Sequence, residues 1–187
     1  MPTYSKIHLR VLAVLSLITI TPLLFVQPVS AASMTLYPTG DGTTLAWSFS
    51  GDTSHYKNID DVPCNNDADY NYTTHVGDMD KYIVALPLTT LYGKTITSVD
   101  VYACAAAYYG TVGTSSTLKL WYGFNNGVGS DVGENGLSDH INYSLVNHAE
   151  ATNILVDSNT VLEIGARYAG GDKGLKVSQM KVVLIYQ

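Results

Sequence analysis

Four things are scarce in this sequence, and each scarcity narrows what the chain can do. Beyond an apolar start, no stretch keeps a helical apolar period over ten residues, which points away from helical architectures. Cations are few: ten Lys and Arg stand against sixteen Asp and Glu, for a net charge of −6 with no basic run. That argues against nucleic acid or an anionic membrane as the main partner. There are only two cysteines, too few for a multi-thiolate metal site. Catalytic and nucleotide-binding motifs are absent as well, so the chain reads as a non-enzyme that requires no cofactor.

The N-terminus has the layout of a secretory leader. Lys6, His8 and Arg10 make a basic start, an uncharged apolar stretch follows over 11–26, and small residues lead to Ala31 and Ala32. We expect residues 1–32 to be a signal peptide and 33–187 a single domain. A retained anchor is the alternative, but the apolar stretch falls short of the about 20 residues a span needs, and Pro22 interrupts it. Cleavage removes Lys6 and Arg10 and makes the chain more acidic still. The expected location is secreted, extracellular or at the cell surface. There Cys64 and Cys104 can pair in a disulfide; two buried thiols in a reducing compartment are the other reading. Asn71-Tyr72-Thr73 and Asn142-Tyr143-Ser144 fit the N-glycosylation sequon.

The remaining chain alternates. Leu45, Trp47 and Phe49 share one face of a strand over 43–50, and Tyr70 and Tyr72 share a face of another over 69–74. Val99, Val101 and Ala103 line one face over 95–104, and Leu118, Leu120, Tyr122 and Phe124 line one over 117–124. These last two read as a hairpin or paired unit. The glycine-rich 125–136 reads as an exposed loop, 147–152 carries no clear pattern, and 161–168 and 175–186 read as strands joined by a tight turn. About eight or nine short strands imply an all-β, two-sheet antiparallel sandwich of jelly-roll type. Tyrosine, with 14 copies, suits such sheets through its β propensity and polar tip.

The segments LYPTGDGTTLAW, HYKNIDD, NNDADYNYTT, TITSVDVYA, VLEIGARY and VSQMKVVLIY together resemble a module of secreted microbial and phage-tail-associated proteins. That module is a concanavalin-like or jelly-roll sandwich, similar to carbohydrate-binding modules. The resemblance implies a non-catalytic extracellular module that binds carbohydrate or a cell-surface component. It also implies a possible structural calcium between loops, for which Asp60, Asp61, Asp67 and Asp69 are the candidates, beside Asp41, Asp78 and Asp80. An EF-hand is excluded, because Tyr72 stands where that loop needs glycine.

Burying the apolar face of 117–124 turns Trp121 outward with Lys119, just as burying Val99 and Val101 turns Asp100 and Tyr102 outward. On adjacent strands Tyr102 and Trp121 would sit opposite each other as a sugar-stacking pair, with Asp100 and Lys119 to bind hydroxyls. The competing use of such a face is self-assembly into an extracellular filament, coat or matrix. A copy's N-terminal arm over 33–38 would then add a strand to its neighbour. His55, His75, His140 and His148 read as surface histidines without a nucleophile or metal partner.

Overall fold

The computed structural model describes residues 30–59, 64, 69–109, 115–125, 129–137, 142–171 and 174–187. Residues 1–29 of the expected leader and Asp60, Asp61 and Asp67 lie outside the described residues. Among the described residues, eleven strands form two antiparallel sheets. The six-stranded sheet holds β1 (Ala32–Leu36), β3 (Ser48–Ser50), β4 (Tyr70–Thr73), β6 (Thr95–Ala107), β9 (Ser144–Leu155) and β11 (Leu175–Tyr186). Its order is β3-β4-β11-β6-β9, with β1 also against β11. The five-stranded sheet runs β2 (Gly40–Leu45), β5 (Met79–Val84), β10 (Leu162–Gly171), β7 (Ser116–Phe124), β8 (Gly129–Leu137). Because the chain passes repeatedly from one sheet to the other, the apolar faces close on each other as a jelly-roll sandwich.

The core is built from the alternating positions. Val99, Val101 and Ala103 of β6 and Met180, Val182 and Leu184 of β11 face Leu118, Leu120, Ile164 and Leu162 of the opposite sheet, all with no exposed surface. Each buried aliphatic side chain of this size stabilises the fold by about 1.5–3 kcal/mol relative to exposure.

Several sequence expectations change here. Strands β6 and β7 are not a hairpin: β6 pairs with β11 and β9, whereas β7 pairs with β10 and β8. Their apolar faces meet across the core instead of lying side by side. In the same way β10 and β11 belong to different sheets, so the glycine-rich link between them is a crossover. The stretch 43–50 is two strands, β2 and β3, which leaves Leu45 and Phe49 exposed and Trp47 alone buried. The expected loop over 125–136 contains β8, which inserts Val132 and Leu137 into the core. Residues 147–152 lie within β9. The N-terminal arm is already used, since β1 pairs with β11 of its own chain from Ala32 to Leu36.

A buried carboxylate fixes the crossover from β2 to β3. Asp80 points inward from β5 with no exposed surface. Its Oδ1 accepts from the amides of Ala46 (2.8 Å) and Trp47 (2.9 Å), where the chain changes sheets. Its Oδ2 lies 2.6 Å from His55 Nδ1 and accepts from the Tyr82 hydroxyl at 3.1 Å. Asn71, also buried, donates to the Tyr82 hydroxyl and to the His55 carbonyl, both at 2.8 Å. Gly51 closes the same corner with φ +115°, where a side chain would be strained and would strike the Asp69 carboxylate.

Candidate functional site

The four candidate ligand residues divide between two outer surfaces. Asp100 and Tyr102 stand on the outer face of the six-stranded sheet, and Lys119 and Trp121 on that of the five-stranded sheet. The stacking pair Tyr102–Trp121 therefore does not form, because a double layer of core side chains lies between the two rings. Tyr102 has instead the Lys181 ammonium over its ring at 4.9 Å, and Asp100 accepts from the Asn147 amide at 2.9 and 3.1 Å. The hydrogen bond to Asp100 is the main cause that raises the Tyr102 phenol above its usual value.

Cys64 and Cys104 are bonded to each other. Cys104 shares the outward register of Asp100 and Tyr102, yet it has no exposed surface. Cys64 is thereby held against the outer side of β6. Beside it Tyr72 and Tyr108 stack at 4.2 Å, Tyr70 and Tyr109 meet Tyr108 at 6.1 and 4.1 Å, and Lys176 lies over Tyr70. Burial is the first cause that pushes the Tyr108 phenol up, followed by its hydrogen bonds with Tyr109 and Tyr72.

The opposite surface is organised around Trp121. Across the five-stranded sheet, Lys81 of β5, Gly165 of β10 and Trp121 of β7 stand in one row. The half-buried indole lies along its own strand: a Cβ on Gly123 would stand 2.3 Å from its Cη2, so only glycine leaves it that bed. Gly165 has no side chain to separate Trp121 from Lys81, whose ammonium lies 4.0 Å from the ring centroid. The indole borders a cavity of about 240 Å³, lined also by Thr43, Ile83, Phe124, Val161 and Glu163. Glu163 accepts from the Thr43 amide (2.7 Å) and hydroxyl (3.0 Å), which positions the carboxylate while leaving lone pairs on both oxygens. Farther along the face, Lys119 pairs with Glu134 and Arg167 with Asp131.

This arrangement can hold a small polyhydroxylated ring. An aromatic wall supplies apolar contact, and a carboxylate with spare acceptor capacity can receive hydroxyl donors. Lys119 lies two residues along the strand and is engaged with Glu134, so it supports the charged surround more than the cavity itself. Sequence parity pointed to Trp121. Lys81 and Glu163 were missed because each reaches this spot from a distant strand.

Among the described residues, no group of three His, Cys, Asp or Glu side chains is arranged to hold a metal ion. Asp41 accepts from the Tyr56 amide and Asp78 from the Thr73 hydroxyl, while Asp80 serves the buried network. Asn142 is exposed, whereas the Asn71 amide is buried and engaged, so a glycan on Asn71 is incompatible with this fold. His55 is not a surface histidine: only 12% of its side chain is exposed, and it contacts Asp80. Among the described residues no helix is long and apolar enough to cross a membrane.

No family pattern matches the chain, and no curated protein matches it. Solved structures do. The xylan-binding module CBM15 is 12% identical with a TM-score of 0.47, over 83% of this chain and 97% of that one. The CBM22-1 xylan-binding domain of Paenibacillus barcinonensis Xyn10C is 11% identical with a TM-score of 0.42, over 81% and 92%. The CBM32 of AlyQ, in complex with 4,5-unsaturated mannuronic acid, is 12% identical with a TM-score of 0.42, over 76% and 96%. These three neighbours are carbohydrate-binding modules with a β-sandwich fold. Nothing among them bears on the phage-tail side of the resemblance.

Proposed function

We propose that this chain is a secreted, non-catalytic module that binds carbohydrate on the outer face of its five-stranded sheet, in the cavity beside Trp121. One observation carries the reading: an outward indole, seated on the Gly123 backbone, forms the wall of an about 240 Å³ cavity that also presents Glu163. A core tryptophan needs neither the glycine bed nor the open wall. Stacking of a sugar face on the indole and hydroxyl donation to Glu163 would supply affinity and orientation.

Titration of the mature protein with soluble oligosaccharides, followed by calorimetry and tryptophan fluorescence, tests it. Binding should weaken about tenfold or more in Trp121→Ala, a loss of about 1.4 kcal/mol, and should persist in Tyr102→Ala. Saturable sugar binding that ignores Trp121→Ala would move the site elsewhere, and a chain that binds no glycan would remove the function.

A further inference from the structure

We infer that the sugar received at this site is an acidic one, whose carboxylate is taken by Lys81; the inference rests on the reading of the Trp121 cavity as a carbohydrate site. Among the described residues, three cations stand on the outer face of the five-stranded sheet. Lys119 and Arg167 are each closed by an acid from β8, Glu134 and Asp131. Lys81 differs: among the described residues no carboxylate lies within ion-pair distance of it, and its ammonium sits over the Trp121 ring. In a chain with sixteen acidic residues against ten basic ones, an uncompensated lysine over an indole that walls a cavity is a recognition feature for an anion.

The geometry seats that lysine on the indole. Its stem passes over Gly165, where a Cβ would lie 3.3 Å from Lys81 Cγ and 3.5 Å from Trp121 Cε3, so the two side chains meet above bare backbone. The ammonium rests on the indole as a cation–π partner. A sugar that stacks on this ring displaces it. A neutral sugar offers the displaced ammonium only hydroxyl acceptors, whereas a uronate offers it the stronger, charge-assisted bond to a carboxylate. In the cavity lining Glu163 repels a carboxylate and attracts hydroxyl donors. The two opposite charges therefore orient an acidic ring with its carboxylate toward Lys81 and its hydroxyls toward Glu163.

The test compares a uronic-acid oligosaccharide with its carboxyl-reduced neutral counterpart on the mature protein, by calorimetry at low and high salt. The acidic form should bind about tenfold or more tightly, and salt should erode the difference. Lys81→Met should abolish the preference while Trp121→Ala weakens both sugars. Lys181→Met, a charge loss on the opposite surface, should keep the preference and so exclude a bulk charge effect. Equal binding of both sugars that still depends on Trp121 would overturn the assignment to acidic sugars and leave the carbohydrate site standing. Binding of neither would overturn the site as well.

Discussion

Replacing Asp80 by asparagine should be among the most damaging isosteric changes in the fold. The carboxylate accepts from two backbone amides and a phenol and lies against a histidine, at 2.8, 2.9, 3.1 and 2.6 Å, with no exposed surface. Asparagine keeps the shape and one acceptor oxygen. Its NH2 must face either the Ala46 and Trp47 amides or the Tyr82 hydroxyl and His55, and the charge is lost in both orientations. Hydrogen bonds to a charged group are worth about 1.5–3 kcal/mol each, and a buried polar group left without a partner costs about 1–3 kcal/mol. We expect a loss of about 3–4 kcal/mol, a large share of the roughly 5–15 kcal/mol that holds a domain together. At about 2–4 °C per kcal/mol for this size, the melting temperature should fall by roughly 6–16 °C. Urea denaturation of the mature domain, followed by tryptophan fluorescence, should show a lower midpoint with an unchanged slope. His55→Gln should cost less, because it leaves both amide contacts in place. A loss below about 1 kcal/mol in Asp80→Asn would show that the β2–β3 crossover is held by packing and would refute the electrostatic account.

Other consequences can be measured with the same domain. Reducing the disulfide, or Cys104→Ser, opens a loop of sequence separation 40 and should cost up to about 4 kcal/mol on the chain-entropy account; a reduced protein with the oxidised midpoint would contradict it. The buried Tyr82 phenol is held well above its usual value, first by desolvation and then by the Asp80 charge. The native state therefore keeps this proton while the unfolded phenol loses it near about pH 10. Stability is present in full below that pH and is lost as pH rises beyond it, and Tyr82→Phe should flatten the alkaline fall in urea midpoint. An equally steep fall in the variant would assign it to other groups. Gly123→Ala sets a methyl group where the indole of Trp121 lies; sugar binding should fall about tenfold with little change in melting temperature, and unaltered binding would show that the indole's bed is not needed.

The strands that were legible in the sequence are those with one strongly apolar face. Val99, Val101 and Ala103, then Leu118, Leu120 and Tyr122, announce themselves at period two because each set must be buried. β8 escaped notice because, as an edge strand rich in glycine and acids, it contributes only Val132 and Leu137 to the core. The crossover after Leu45 escaped as well, since Leu45, Trp47 and Phe49 alternate perfectly while Asp80 holds the backbone in two sheets. His55 has no local signature; its partner lies 25 residues away on β5.

By itself the sequence determined an alternating β chain, an outward Trp121, and two cysteines with only each other to bond, because parity and pairing of a single couple are local or exclusive constraints. Which strands lie side by side was decided by the tertiary structure alone. A strand pattern states which face is buried but not which sheet receives it, so the same alternation fits a hairpin or a crossover. That choice separated Tyr102 from Trp121 by the thickness of the sandwich, and it brought Lys81, Gly165 and Glu163 to the indole from strands the chain reaches much earlier or later.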